Sequence, residues 1–161
     1  MRKNAAANRS RPLELSAEAA LEVRRALEAA GCRYTSQRAA VFAYLQQVYS
    51  HPTADEVYQA VRSEMPRISL ATVYKALEAL VEARLATKLT SGDNSARYDC
   101  RGEDHYHLRD VATGVVRDLP ASYDPDLLSK LDPALLGKLA SAGFQVSGYR
   151  LEVLGRFEKK K

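Results

Sequence analysis

The sequence predicts an α+β protein in two parts, a mainly helical N-terminal half and a smaller mixed C-terminal half. Helical hydrophobic periodicity recurs four times before residue 86. Two short strand-like stretches follow, separated by turn-forming residues. Beyond residue 104 the pattern changes to strand, helix and strand, which indicates a separate module.

Four segments have the spacing and the end signals of helices. They cover residues 16–31, 35–49, 53–64 and 69–85, and they begin at the N-cap candidates Ser16, Thr35, Thr53 and Ser69. Glu56 completes a capping box with Thr53. Gly31 is suited to ending the first helix and Pro66 to ending the third.

The stretches LATKLT (85–90) and ARYDC (96–100) are typical of two strands, and SGDNS between them is typical of a hairpin loop. Three short helices followed by a β-hairpin form the plan of a winged helix-turn-helix, whose last helix enters the DNA major groove. The same pattern also fits a small helical bundle with ordinary polar surface residues. In the winged helix, the first turns of the last helix would present Ser69, Thr72, Tyr74 and Lys75.

The C-terminal segment predicts a β-α-β module of roughly 55 residues, which is small to be stable alone. Residues 105–119 alternate as strands do, with Thr113-Gly114 as the turn. Residues 124–143 are helical, with a break at Pro133, and residues 144–157 form a final strand pair or one long bent strand. The apolar strands invite pairing with a second copy, so we expect a homodimer.

These elements predict four regions: a flexible basic arm over 1–15, a winged-helix DNA-binding domain over 16–98, a hinge over 99–104 and a dimerisation domain over 105–161. The N-terminal residues lack the apolar segment of a secretion signal, and the apolar runs are too short for a membrane span. Cys32 and Cys100 make no disulfide framework. We therefore expect a cytoplasmic protein with no membrane partner.

The charge is uneven along the chain, whose net charge is +4. Residues 1–98 carry 14 Lys and Arg against 10 Asp and Glu, whereas residues 99–161 carry 10 of each. The first part thus has the electrostatics of a polyanion binder, although many basic surfaces bind no nucleic acid.

His105 and His107, two of the three histidines, lie one residue apart. In a strand they would point to one face, with Tyr106 on the other. Asp118 follows the hairpin turn and would come near them, and Asp99 ends the wing strand. Imidazoles with carboxylates suit Mn(II), Fe(II) or Zn(II) rather than a closed thiolate zinc site. An isolated pair of this kind is more often two solvated histidines.

His51 is the remaining histidine and precedes Pro52 at the start of the third helix. Taken alone, it is better explained as a loop residue. If it closes the metal site, the ion bridges the two halves of the chain. Metal binding would then fix the angle between the two halves and the spacing of the two DNA-binding domains in a dimer.

Taken together, these segments resemble the ferric uptake regulator family of metal-dependent repressors. The resemblance rests on HPTADEVY (51–58), ISLATVYKAL (68–77) and DHYH (104–107). It continues through SARYDC (95–100), GVVRDLP (114–120) and GFQVSGYRLEVLG (143–155), and so extends from residue 31 to residue 155. Within the family, the sequence is most similar to the peroxide-sensing branch.

The resemblance implies a metal site of three histidines and two aspartates, which fall on His51, Asp99, His105, His107 and Asp118. It also implies a double-stranded, A/T-rich palindromic DNA operator and a homodimer. The DNA-contacting candidates are Arg33 in the minor groove, Arg38 on phosphate, and Thr72, Tyr74 and Lys75 on the recognition helix. Without the resemblance, Arg38 fits a surface ion pair and Tyr74 the edge of the core.

The sequence departs from the family at a second metal site. Most members hold a structural zinc with two CxxC pairs, but the corresponding positions here are Asp110, Thr113, Phe157 and Lys160. We therefore expect no structural zinc, whose loss removes a contribution to folding. Cys32 and Cys100 lie elsewhere and are better explained as small buried hydrophobes than as redox groups.

The predicted function is a metal-dependent DNA-binding repressor, not an enzyme, with Mn(II) or Fe(II) as corepressor and Zn(II) able to occupy the site in vitro. The branch resemblance implies peroxide sensing through iron-catalysed oxidation of His51 or His105. A manganese or iron uptake regulator without peroxide sensing is the close alternative. A DNA-binding protein with no sensing role and a small non-haem iron enzyme are further alternatives.

Overall fold

The structure is a computed structural model that describes residues 12–90, 96–100, 102 and 104–158. It divides into two compact units, one ending at Gly102 and the other comprising the residues that follow. Most of the expected basic arm (1–11), the wing loop (91–95) and two positions of the expected hinge (101 and 103) lie outside the described residues. The hinge itself stays a prediction.

The first unit contains the four predicted helices, α1 (Ala17–Ala29), α2 (Ser36–Gln47), α3 (Ala54–Arg62) and α4 (Leu70–Glu82). All four predicted N-cap side chains accept a hydrogen bond from the backbone three residues on. The capping box is also present, because the Glu56 carboxylate accepts from the Thr53 backbone N–H at 2.7 Å.

The third helix ends earlier than predicted, and Pro66 does not end it. α3 stops at Arg62, and the Ser63 hydroxyl donates to the Ala60 carbonyl at 2.7 Å. A serine hydroxyl that bonds back to the preceding turn competes with the continuing helix. Gly31, by contrast, follows α1 with φ of +73°, as expected for a helix stop that needs the left-handed region.

The core of the first unit fixes the orientation of α4. Val73, Leu77 and Leu80 are fully buried, together with residues of α2 and α3. Because these positions share one helical face, Tyr74 and Lys75 on another face are exposed. The core thus presents the first turns of α4 to solvent.

Two short strands complete the first unit, β1 (Thr87–Leu89) and β2 (Arg97–Asp99). They pair antiparallel, with Thr87 opposite Asp99 and Leu89 opposite Arg97. Helices followed by this hairpin, hereafter the wing, make the predicted winged helix-turn-helix.

The second unit is the predicted β-α-β module. Its elements are β3 (His107–Asp110), β4 (Val116–Asp118), α5 (Leu127–Leu131), α6 (Leu135–Ser141) and β5 (Glu152–Gly155). β3 lies between antiparallel β4 and parallel β5. The helical break around Pro133 and the turn at Gly114 (φ +68°) are as predicted.

The prediction for residues 144–157 is wrong in its extent. Only Glu152–Gly155 forms a strand, and residues 144–151 form none. A strand needs a hydrogen-bonded neighbour, and β3 already has one on each side.

Large apolar side chains remain exposed on the second unit. They are Val111, Leu131, Leu136, Phe144, Val153 and Leu154. Exposed apolar side chains that adjoin one another are typical of a surface that another chain covers. Among the described residues, no helix has the length and apolar character needed to cross a bilayer.

Candidate metal centre and DNA-binding groove

His51 and Asp99 form the first half-site, within the first unit. Asp99 is the last residue of β2, and its Oδ2 lies 3.6 Å from His51 Nε2. Both side chains are buried, with 2% of His51 and 7% of Asp99 exposed. A buried imidazole beside a buried carboxylate offers one nitrogen and one oxygen ligand to a divalent ion.

The backbone at His51 has a left-handed conformation, with φ of +48°. Such a residue other than glycine costs on the order of 1–3 kcal/mol and persists only where its surroundings hold it. The segment after it is tied to the wing, because the Tyr98 N–H donates to the Pro52 carbonyl at 3.0 Å. Thr53 and Arg97 also form an isolated antiparallel bridge.

His105, His107 and Asp118 form the second half-site, within the second unit. His107 lies opposite Asp118 in the β3–β4 register, and the two imidazole centroids are 4.6 Å apart. His105 Nε2 lies 3.5 Å from Asp118 Oδ1. The hairpin therefore brings these three side chains together as the sequence predicts, although His105 itself precedes the first residue of β3.

Tyr106 faces away from this half-site, as the alternation predicts. It is buried, and its hydroxyl lies 2.8 Å from the Tyr149 hydroxyl. It also accepts from the Asp124 N–H at 2.8 Å, while Tyr149 donates to the Asp124 carbonyl. Burial and the hydrogen bond to Tyr106 raise the pKa of Tyr149. This network anchors the backbone between the two histidines.

The donors of both half-sites are imidazole nitrogens and carboxylate oxygens, which fits Mn(II), Fe(II) or Zn(II). Two ligands in one unit and three in the other are each fewer than an octahedral ion needs. The structure thus groups the five predicted ligands into two sets, one per unit. That one ion joins the two sets stays a prediction.

A groove of about 520 Å³ on the first unit gathers most of the predicted DNA contacts. Arg33, Arg38, Thr72 and Lys75 line it, between the start of α2 and the first turns of α4. Three cationic side chains in one groove attract phosphate.

Arg38, Tyr74 and Thr72 differ in their contacts and in their exposure. The Arg38 guanidinium donates to the carbonyl of Arg33, another residue that lines the groove. Tyr74 is 42% exposed, so part of its side chain is accessible to solvent. The Thr72 hydroxyl lies 2.8 Å from the N-cap hydroxyl of Ser69.

Residues 29–154 match the sequence profile of the ferric uptake regulator family. This chain belongs to the ferric uptake regulator family.

Among the curated members of the family, a peroxide-responsive repressor (PerR) of Staphylococcus epidermidis is 42% identical over 93 residues. The matched segment is 58% of this chain and 62% of that repressor, so this chain spans less than two thirds of its relative's length.

Two solved structures share the fold. A peroxide stress regulator of Campylobacter jejuni is 27% identical, with a TM-score of 0.58 over 91% of this chain and 100% of that chain. A zinc-bound manganese uptake regulator is 26% identical, with a TM-score of 0.58 over 84% of this chain and 98% of that chain. The predicted fold class is therefore confirmed. These relatives are named as repressors or regulators, which goes against the alternative of a non-haem iron enzyme.

The family's cysteine zinc site does not fit this chain. Asp110, Thr113 and Phe157 supply no thiolates, and Lys160, outside the described residues, is no ligand of that type. Instead, the Asp110 carboxylate accepts from the N–H groups of Ala112 (2.8 Å), Thr113 (3.0 Å) and Phe157 (2.9 Å). One carboxylate thus joins the hairpin turn to the segment after β5.

Asp110→Asn should destabilise the protein at neutral pH, with the difference shrinking in acid. Hydrogen bonds from the Phe157 and then the Ala112 N–H hold the pKa of Asp110 below its usual range. Its contribution is therefore present above the ordinary carboxyl pKa of about 4 and is lost as pH falls through the lower folded value. Thermal denaturation at several pH values measures this.

The control for this measurement is Asp126→Asn, which alters an exposed carboxylate of the same unit. It should leave the melting temperature nearly unchanged at neutral pH. A deficit of Asp110→Asn that stays constant from neutral pH to pH 3 would contradict the assignment.

Sequence reasoning missed two networks that surround the half-sites. One is the tyrosine network of Tyr106, Tyr123 and Tyr149, whose members are far apart in the chain. The other centres on Arg97, a buried arginine that donates to the His51 carbonyl at 3.0 Å. An arginine in a short strand gives no local signal of such a role; only the pairing of β2 with the segment after His51 shows it.

Proposed function

We propose that this chain is a metal-dependent DNA-binding transcriptional repressor, with Mn(II) or Fe(II) as corepressor. The observation that carries the proposal is the presence of two half-sites with nitrogen and oxygen donors, in units of a chain whose first unit is a winged helix. The regulators among its relatives support the same activity.

We further propose that one ion binds His51 and Asp99 together with His105, His107 and Asp118. Ligand number supports this, because neither half-site alone fills the coordination sphere of Mn(II) or Fe(II). An ion held by both units restricts their relative orientation. It therefore shifts the population toward the conformation that binds DNA, and DNA strengthens metal binding in return.

The proposed DNA ligand is an A/T-rich palindromic duplex. The first turns of α4 enter the major groove, and the cationic groove beside them contacts phosphate through Arg38, with Arg33 reaching the minor groove. The exposed ring of Tyr74 suits contact with thymine methyl groups.

Lys75→Ala should weaken operator binding about 10-fold. It should also make the slope of log Kobs against log salt less negative by about one. Lys75 is exposed on α4 and lines the groove, so its removal deletes one cationic contact. Fluorescence anisotropy over a salt series measures both quantities. Arg25→Ala is the matched control, because it removes an exposed cation of α1 that is not among the groove residues; equal losses in the two variants would contradict the assignment.

A homodimer is part of the proposal. The two halves of a palindromic operator are related by a two-fold axis, which a two-fold symmetric dimer matches. The exposed apolar side chains of the second unit supply a surface for a second copy.

Peroxide sensing is the finer part of the proposal. Fe(II), when bound, would supply the redox chemistry that activates hydrogen peroxide. Overall, one peroxide oxygen would be added to a ring carbon of His51 or His105 and the other would leave as water, so that the two-electron reduction of the peroxide balances the two-electron oxidation of the imidazole. The oxidised side chain would no longer bind the metal, and the operator would be released. The peroxide-responsive relatives support this reading. The manganese uptake regulator supports the alternative, in which metal availability alone is sensed.

The test is operator binding by the purified protein with Mn(II), Fe(II), Zn(II) or a chelator. The duplex is selected from random sequences with the Mn(II)-loaded protein. Binding that requires Mn(II) or Fe(II) supports the proposal. Binding that is equally tight in chelator would contradict it, and activation by zinc alone would favour a zinc-responsive regulator.

A further inference from the structure

We propose that Arg97 is a positioning residue that holds His51 in place for metal binding. The inference rests on the proposed function, in which His51 is a ligand. Arg97 lies on β2 of the wing, two residues before Asp99. It therefore connects the two members of the first half-site.

Two contacts of Arg97 involve His51 and the adjoining helix α3. Its Nη1 donates to the His51 carbonyl at 3.0 Å and lies 3.3 Å from Glu56 Oε2. The same carboxylate oxygen accepts from the Thr53 N–H at 2.7 Å. One guanidinium thus links the wing to the carbonyl of the ligand residue and to the capping box of α3.

The conformation of His51 explains why this link is needed. A left-handed histidine is unfavourable in isolation, so the chain would relax unless other groups fixed it. Arg97 and His51 are buried, with 7% and 2% exposed, so the hydrogen bond between them is shielded from competing water, whereas the Glu56 carboxylate is 56% exposed. A planar guanidinium can serve the carbonyl and the carboxylate together, which an ammonium does less well.

Two physical effects of Arg97 on metal binding have opposite signs. A cation close to a dication repels it, so charge alone predicts that removing Arg97 tightens metal binding. The positioning role predicts the reverse, because an unfixed imidazole must be ordered when the ion binds. Removal of groups that orient a metal ligand typically costs 10–100-fold in affinity.

The experiment measures Mn(II) affinity by isothermal titration calorimetry for wild type, Arg97→Gln, Arg97→Lys and His51→Ala. We expect Arg97→Gln to weaken Mn(II) binding by about 10-fold or more, with Arg97→Lys weakened less. Arg62→Gln, the loss of an exposed cation on α3, is the matched control and should stay within about two-fold of wild type. If Arg97→Gln does not fold, the Mn(II) affinity of Arg97→Lys tests the inference by itself.

A second measurement separates positioning from general destabilisation. In the metal-free protein, ¹⁵N-imidazole spectra should show a shifted His51 signal in Arg97→Lys, with the signals of His105 and His107 unchanged. If the Arg97 variants bind Mn(II) as tightly as wild type or tighter, while His51→Ala binds it more weakly, the inference about Arg97 is overturned and the proposed function is not. Wild-type binding by His51→Ala would instead overturn the proposed function and the inference with it.

Discussion

His105→Ala should abolish metal-activated operator binding, with Mn(II) affinity lowered on the order of 100-fold or more. His105 is the member of the second half-site that lies both against the His107 ring and 3.5 Å from Asp118. Removing it deletes one of the proposed nitrogen ligands. Loss of a direct ligand should exceed the 10–100-fold cost of losing a group that only orients one.

The control for this variant is Asp104→Ala, which alters the exposed neighbour of His105 outside the predicted ligand set. It should bind Mn(II) and operator as wild type does. Operator binding by His105→Ala that is unchanged and independent of metal would support a DNA-binding protein with no sensing role. Calorimetry and anisotropy on the same preparations separate metal loss from DNA loss.

Hydrogen peroxide should end operator binding by the Fe(II)-loaded protein and leave the Mn(II)-loaded protein active. The reason is chemical: Fe(II) readily donates an electron to peroxide, whereas Mn(II) reacts with it poorly. The damage should be confined to side chains at the ion. Mass spectrometry should therefore find one added oxygen in the peptide with His51 or the peptide with His105.

Two matched comparisons make this result specific. The Mn(II) form treated with the same peroxide controls for general oxidation, including that of Cys32 and Cys100, which are partly buried in the first unit. An Fe(II)-loaded His105→Ala sample tests whether oxidation needs the assembled site. Equal inactivation of both metal forms, without histidine oxidation, would contradict peroxide sensing at this site.

The fold was predictable where local signals determine it. Caps such as Thr53 with Glu56 and stops such as Gly31 act within a few residues, so the sequence pattern locates those helix ends. The extent of the last strand was not predictable. The number of strands that can pair with β3 is a property of the assembled sheet.

The part of the candidate site that lies on the β3–β4 hairpin was predictable from the sequence. A hairpin must return Asp118 to the neighbourhood of His107, and the register places them directly opposite. The hydrogen bond from Arg97 to the His51 carbonyl was not predictable, since 46 residues separate the two in the chain. The carboxylate bridge of Asp110 to Phe157 is hidden for the same reason, because it spans 47 residues.

A crystal structure of the protein grown with Mn(II), with anomalous diffraction at the manganese edge, tests the central claim most directly. The account predicts one ion bound by His51 and Asp99 of the first unit and by His105, His107 and Asp118 of the second. An ion held by the second unit alone, with the His51 ring turned into solvent, would contradict it.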